Sequence, residues 1–309
     1  MAFANGSEHS LAYVAEVTAG TTPATPAFKE LRHNGTTLGL SKETLESEEL
    51  GGRQVKCFKH GNQQVGGDVN SELSFGDFDD LLEAALCGTW ETDTPSLGTD
   101  QLVSGSTRRT FTFQRFFADI STYIRSEGCE INTIGMSVAP NAIATVDFGV
   151  VGLSQDDDNA AIAGATSVAA SAECPFDSFT GTINEGGSAI AIVQQIEWSL
   201  ENGIEPQFII GSKTAAEKSI GKSRATGTLT AYFSSVALMN KFINETSSSI
   251  DYTLVDGAGN ELKFSFPNVK YNGGQPDVSG DGPITIALPF VALYDETAGS
   301  QVVIERTAA

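Results

Sequence analysis

The feature that most restricts the fold is a strand–turn–helix unit that occurs twice. The first copy is Val65–Trp90, VGGDVNSELSFGDFDDLLEAALCGTW. Val69, Ser71, Leu73 and Phe75 alternate with Asn70, Glu72 and Ser74, the period of a strand with one covered face. Gly76 ends the run. Phe78, Leu81, Leu82 and Ala85 then follow at helical spacing. Asp77, Asp79 and Asp80 occupy the first turn, where acidic groups suit the helix dipole, and Gly88 supplies a C-terminal stop. A short amphipathic helix of this kind has to lie on a sheet.

The second copy is Ala225–Ile243, ATGTLTAYFSSVALMNKFI. Gly227 stands where Gly67 stands. Leu229, Ala231 and Phe233 alternate as Val69, Ser71 and Leu73 do, and Val236, Met239, Phe242 and Ile243 form the helical stripe. Leu38–Ser47 parallels Ile196–Glu205, and Ala144–Leu153 parallels Ile284–Leu293. Three separated segments recurring in the same order indicate an internal duplication of about 150 residues.

The length of 309 residues suits two domains. They are expected at 1–155, with an N-terminal arm, and 156–309, with a linker in the acidic, then small-residue-rich stretch 156–172. The formal charge is −21 and is shared evenly: 10 basic against 20 acidic residues in 1–155, and 8 against 19 in 156–309. Such a surface keeps a protein soluble and repels nucleic acid phosphate. Met1–Ser10 lacks the basic start and apolar core of a secretion signal, and no apolar run reaches the ~20 residues of a membrane helix. Cys57, Cys87, Cys129 and Cys174 have no metal-site spacing and read as free thiols of a reducing compartment.

The remaining strands follow from alternation, as in Arg108–Phe117 and Ala142–Leu153, and from turn residues such as Asn184–Gly187 and Asp256–Asn260. The expected class is α+β, predominantly antiparallel β: two tandem domains, each a β-sandwich or partial barrel with one flanking helix. Two long polar excursions, 41–65 and 203–224, interrupt the strands at corresponding places.

Chemistry-bearing patterns are weak. Ala216–Ser223, AEKSIGKS, meets a relaxed phosphate-loop pattern, but the next stretch alternates as a strand, whereas a phosphate loop opens a helix. Asp277–Gly282 hints at a calcium loop and lacks its ligand ladder. His9, His33 and His60 have no ligand spacing, and no nucleophile elbow or Cys/His pairing is present. No catalytic, cofactor or metal site is expected, and the chain reads as structural rather than enzymatic.

Ser10–Leu50, SLAYVAEVTAGTTPATPAFKELRHNGTTLGLSKETLESEEL, and Arg53–Trp90, RQVKCFKHGNQQVGGDVNSELSFGDFDDLLEAALCGTW, resemble the major tail tube proteins of long-tailed bacteriophages. The likeness covers residues 10–155, and the second half joins it through its match to the first. It implies that each domain adds a four-stranded sheet to a barrel lining the tail lumen, with the helix outside and a long loop reaching the neighbouring ring. It also implies a virion protein, assembled in the bacterial cytoplasm, whose partners are its own copies, the tape measure protein, the tail terminator and distal tail proteins, with double-stranded DNA in passage and no membrane. The alternatives are the inner tube of a contractile tail or secretion system, a carbohydrate-binding β-protein lacking its secretion signal, and an enzyme on a duplicated fold.

With two domains per chain, three chains make a pseudo-sixfold ring. The contacts between subunits or rings are expected in the excursions, whose charge is segregated. Glu43, Glu46, Glu48 and Glu49 lead and Arg53, Lys56 and Lys59 return in the first; Glu201 and Glu205 lead and Lys213, Lys218, Lys222 and Arg224 return in the second. The alternative is that each acidic arm pairs with its own basic return across one hairpin.

Overall fold

The computed structural model describes residues 3–50, 52–178, 181–278 and 280–309. The first half runs β1 (His9–Ala15), β2 (Ala27–Leu31), β3 (Gly35–Thr36), β4 (Gly39–Glu46), β5 (Phe58–Glu72), α1 (Asp79–Leu86), β6 (Thr99–Val103), β7 (Phe111–Phe117), β8 (Thr122–Val138), β9 (Thr145–Gly152), β10 (Ser154–Asp158) and β11 (Thr166–Val168). The second runs β12 (Thr182–Glu185), β13 (Ser188–Ala189), β14 (Val193–Glu201), β15 (Glu205–Gln207), β16 (Glu217–Ser219), β17 (Arg224–Tyr232), α2 (Ala237–Ile243), β18 (Ser248–Val255), β19 (Glu261–Tyr271), β20 (Pro276–Asp277), β21 (Thr285–Ala292) and β22 (Val303–Thr307). The class is the expected one: antiparallel strands dominate and each half holds one α-helix.

One antiparallel ribbon passes through both halves in the order β4-β5-β9-β8-β14-β17-β21-β19. Val69 lies opposite Phe148, Phe148 opposite Ile134, and Ile134 opposite Leu200. Leu200 in turn faces Ala225, Leu229 faces Leu288, and Phe290 faces Tyr271. The joint is β8 with β14, six residue pairs from Ile196↔Val138 to Glu201↔Thr133. Outer strands cover one face of the ribbon. In the first half β2, β1, β7, the start of β8, and β10 pair in turn; in the second, β12, β18, β19 and β22 do so.

Alternation along the ribbon decides which side is covered. Val146, Phe148 and Val150 are buried and Asp147 is exposed; Ile196, Trp198 and Leu200 are buried and Glu197 and Ser199 exposed. The buried set meets Leu11, Tyr13, Phe111 and Phe113 from the outer strands in one continuous core. Trp198 packs on Phe264 and Phe266, and its indole N–H donates to the Tyr252 hydroxyl at 2.6 Å, which removes the cost of burying that donor.

Both Gly67 and Gly227 are required by close approach. A Cβ on Gly67, whose φ is +145°, would lie 2.5 Å from the Thr37 carbonyl oxygen, and one on Gly227 would lie 2.5 Å from the Phe290 ring. The pairing of β4 with β5 and of β14 with β17 places Gly39 opposite Gly66 and Ser199 opposite Thr226. Leu38 therefore corresponds to Trp198, two residues along from the match with Ile196 read from the sequence.

Phe78, Leu81, Leu82 and Ala85 of the first helix are buried as expected. Its left-handed terminal residue is Cys87, at φ 50°, and Gly88 donates to Glu83 O at 3.0 Å. Gly88 is needed for space instead, because a Cβ there would come 2.1 Å from Val103 O. The second stripe differs from expectation. Leu238 is the buried residue of α2, whereas Val236 and Ile243 are 52% and 55% exposed.

The halves also exchange strands. β22 pairs with β6 of the first half, where Arg306 stacks over Trp90 at 4.5 Å and bonds Asp100 at 2.9 Å and Asp79. The stretch read as a linker, 156–172, holds the end of β10 on β8, and β11, which pairs in parallel with β2.

Candidate assembly surfaces

The uncovered face of the ribbon is polar. Asp68, Asn70, Asp147, Glu197 and Glu201 are exposed on it, and Arg224 stands in register with Glu201. Asn70 donates to Asp147 Oδ1 at 2.6 Å, and threonines of β17 fill much of the remainder. Small hydroxyl side chains and carboxylates give a flat acidic surface.

The first excursion is a hairpin. Its arms pair as Ser41↔Gln64, Thr44↔His60 and Glu46↔Phe58, and every described residue from Ser41 to His60 is exposed. Leu45, Leu50, Val55 and Phe58 lie in water at 58%, 94%, 58% and 51% exposure, so among the described residues nothing covers them. Of its expected charges, Lys56 pairs with Glu49 at 3.1 Å. Glu46, Glu48, Arg53 and Lys59 form no ion pair among the described residues.

The second excursion folds back. β15 and β16 make a small hairpin, and the Gln63 amide donates to Lys213 O at 2.7 Å, seating it against the root of the first arm. Lys218, expected as a subunit contact, is 3% exposed. Its ammonium lies 3.0 Å from Glu130 Oε1 and donates to Gly128 O. Glu130 also receives a bidentate pair from Arg108 at 3.0 and 2.9 Å. Lys218 is thus spent inside the chain. The pattern that hid this is the shift of β8 between the two sheets, which brings Glu130 under the excursion. Lys213, Lys222 and Arg224 are exposed and without an ion pair among the described residues.

A histidine pair was invisible in sequence. Arg115 Nε, which can only donate, lies 3.3 Å from His9 Nε2. His9 Nδ1 then donates to His33 Nε2 at 2.8 Å, and His33 Nδ1 to Leu31 O at 3.3 Å. Burial, with His33 and Arg115 beside it, lowers His9 to about 4.

A half-open cavity of about 370 Å³ lies where the halves meet, lined by Val138, Pro140, Ile183, Ile190, Ile196 and Leu254 among others. Its lining presents no acid–base pair. Among the described residues no group of three His, Cys, Asp or Glu is placed to hold a metal ion. The relaxed phosphate-loop stretch is β16 followed by strand β17, without a helix. The calcium-like stretch 277–282 includes positions outside the described residues.

A family model described as phage tail tube protein matches residues 6–292. The chain belongs to the phage tail tube protein family. No curated protein sequence matches it. A phage tail tube protein is a structural component of the virion tail, and it assembles with its own copies and other tail proteins into a tube. No described helix is long and apolar enough to cross a membrane.

Proposed function

We propose that three copies of this phage tail tube protein close a ring of six tube units, and that stacked rings form the tail tube through which double-stranded DNA passes. The single observation that carries this reading is the ribbon. Its first strand, β4, pairs only with β5, and at its other end Lys270, Tyr271 and β20 pair only with β21 among the described residues. Inside the chain the equivalent edges, β8 and β14, already join. An edge of unpaired amides and carbonyls is a template for another strand, so β19–β20 of one copy meets β4 of the next.

The geometry supports three copies. Eight ribbon strands per chain make 24 in a trimer. At about 4.8 Å each they span about 115 Å of circumference, roughly 37 Å across. A duplex of about 20 Å passes. Six chains would leave a far wider bore. The acidic open face then lines the channel, where it repels the DNA backbone and lets it slide. The two units are residues 1–155 and 156–309. Assembly takes place in the host cytoplasm, and the tape measure, tail terminator and distal tail proteins bound the tube. The projecting hairpin 41–65 reaches the neighbouring ring through Glu46, Glu48, Glu49, Arg53, Lys56 and Lys59, with Lys213, Lys222 and Arg224 exposed beside or beyond its root. Mass photometry with electron microscopy of the purified protein tests this. Rings of three times 32.5 kDa that stack into tubes are expected; rings of six chains refute it.

A further inference from the structure

The first half has a cap with no counterpart among the described residues of the second half. In the first half, Leu73 N donates to Ala144 O at 2.9 Å. This leaves Leu73 O and Ala144 N, and Phe176 takes both: its amide donates to Leu73 O at 2.8 Å and its carbonyl accepts from Ala144 N at 2.9 Å. Its ring is wholly buried in the core. Phe176 belongs to the segment that leads from the first half into the second, six residues before β12 begins at Thr182.

The second half reproduces the site without its occupant. Phe233 and Ile284 correspond to Leu73 and Ala144, and Phe233 N donates to Ile284 O at 2.9 Å. Phe233 O and Ile284 N have no partner among the described residues. Ile284, Tyr232, Val236 and Ile243 are 37%, 43%, 52% and 55% exposed. Tyr232 stands where Glu72 stands, and the matching helix caps place Val236 and Ile243 where the first half has the buried Phe78 and Ala85. The second half therefore leaves in water an apolar surface whose first-half counterpart is covered. A cleft of about 340 Å³ lined by Tyr232, Ser235, Ala237, Leu238 and Ile286 opens beside it.

The chain holds a second segment of the same design. β1 occupies the place in the first half that β12 occupies in the second: it flanks β7 as β12 flanks β18. Phe3 stands six residues before β1 begins at His9 and is 77% exposed. Gly6–Glu8 form a single 3-10 turn between Phe3 and His9; opened out, those six residues reach about 20 Å, as do the six from Phe176 to Thr182.

We propose that Phe3 of one copy caps the second half of the preceding copy, seated against Ile284, Tyr232 and Val236 with its backbone bonded to Phe233 O and Ile284 N. This rests on the reading that copies join half to half in a ring. The segment that enters each half thereby caps the half before it, within the chain through Phe176 and between chains through Phe3. Two unmet backbone groups and an exposed apolar surface are satisfied together, and a ring edge gains a side-chain anchor beyond strand pairing.

A chain carrying p-benzoylphenylalanine in place of Phe3 tests the contact. It is irradiated at tube-forming concentration and the adducts are mapped by mass spectrometry. Adducts between chains on Tyr232–Ile243 or Ile284–Ile286 are expected. Adducts elsewhere, or none, overturn the proposal whether or not rings are seen. Micrographs of the same sample judge the ring reading separately: rings without this adduct sink the cap alone, and the adduct without closed rings leaves the cap standing and sinks the ring. Phe3→Ala should raise the protein concentration needed for tube growth at least about tenfold, as loss of one buried aromatic side chain implies, with circular dichroism unchanged. Phe3→Leu should recover most of it. Growth of Phe3→Ala at the wild-type concentration also overturns the proposal.

Discussion

Glu130→Gln should destabilise the protein far more than Lys218→Met, although the two side chains share one ion pair. The Lys218 side chain is 2% exposed and Glu130 6%, and among the described residues Glu130 is the only carboxylate that pairs with the ammonium. Arg108, at 33%, still reaches water. Neutralising Glu130 strands a buried ammonium, which costs about 3–5 kcal/mol. Lys218→Met removes the buried cation at similar length and leaves Glu130 held bidentately by Arg108. Its cost is the orphaned Gly128 carbonyl and the lost pair, about 1–3 kcal/mol. The double variant should cost less than the sum of the two by about 1–3 kcal/mol, since the stranded charge is gone. Urea unfolding at constant m-value measures all three. Limited proteolysis should cut 205–217 faster in Lys218→Met, because that lysine fastens the second excursion to the first half. The reasoning is refuted if Lys218→Met is as costly as Glu130→Gln, or if the double variant is additive.

Reversing Arg53, Lys56 and Lys59 to Glu should abolish tube growth while circular dichroism stays unchanged; each exposed ion pair contributes only about 0–1 kcal/mol, so the effect comes from repetition round the ring. Normal tubes from that variant would remove these charges from assembly. Replacing Asp68, Asp147 and Glu197 with Lys should leave tubes intact and slow genome delivery, read as DNA release from purified virions; unchanged release would place these residues away from the DNA. His9 has a folded value of about 4 against about 6.5 in an unfolded chain. The folded state therefore binds fewer protons between those values, and stability present above pH 6.5 is lost as pH falls toward 4. Thermal melts of wild type and His9→Gln across that window should converge, and parallel curves would contradict a neutral His9.

Local pattern carried much of this fold. Alternation at Val69–Leu73 and Val146–Val150 named the buried face, because a strand's side chains point to opposite sides whatever it pairs with. Helical spacing at Phe78–Ala85 named the packed face of α1 for the same reason. The run from Ser10 to Trp90 resembled the phage tail tube family, and the family match over residues 6–292 agrees with it. The sequence could not reveal which strand edges meet. Pairing of β8 with β14 joins residues 58 to 68 positions apart, and that of β22 with β6 residues 200 to 208 apart, and strand backbones offer the same amides and carbonyls to any partner. The fates of the charged residues depended on that pairing. Lys56 and Lys218 look alike as return-arm lysines, yet one stays in water on a hairpin while the other is buried. The difference lies in Glu130, brought beneath Lys218 by a strand that changes sheets midway. Burial of a charge follows the position of its counter-ion, and tertiary structure alone sets that position.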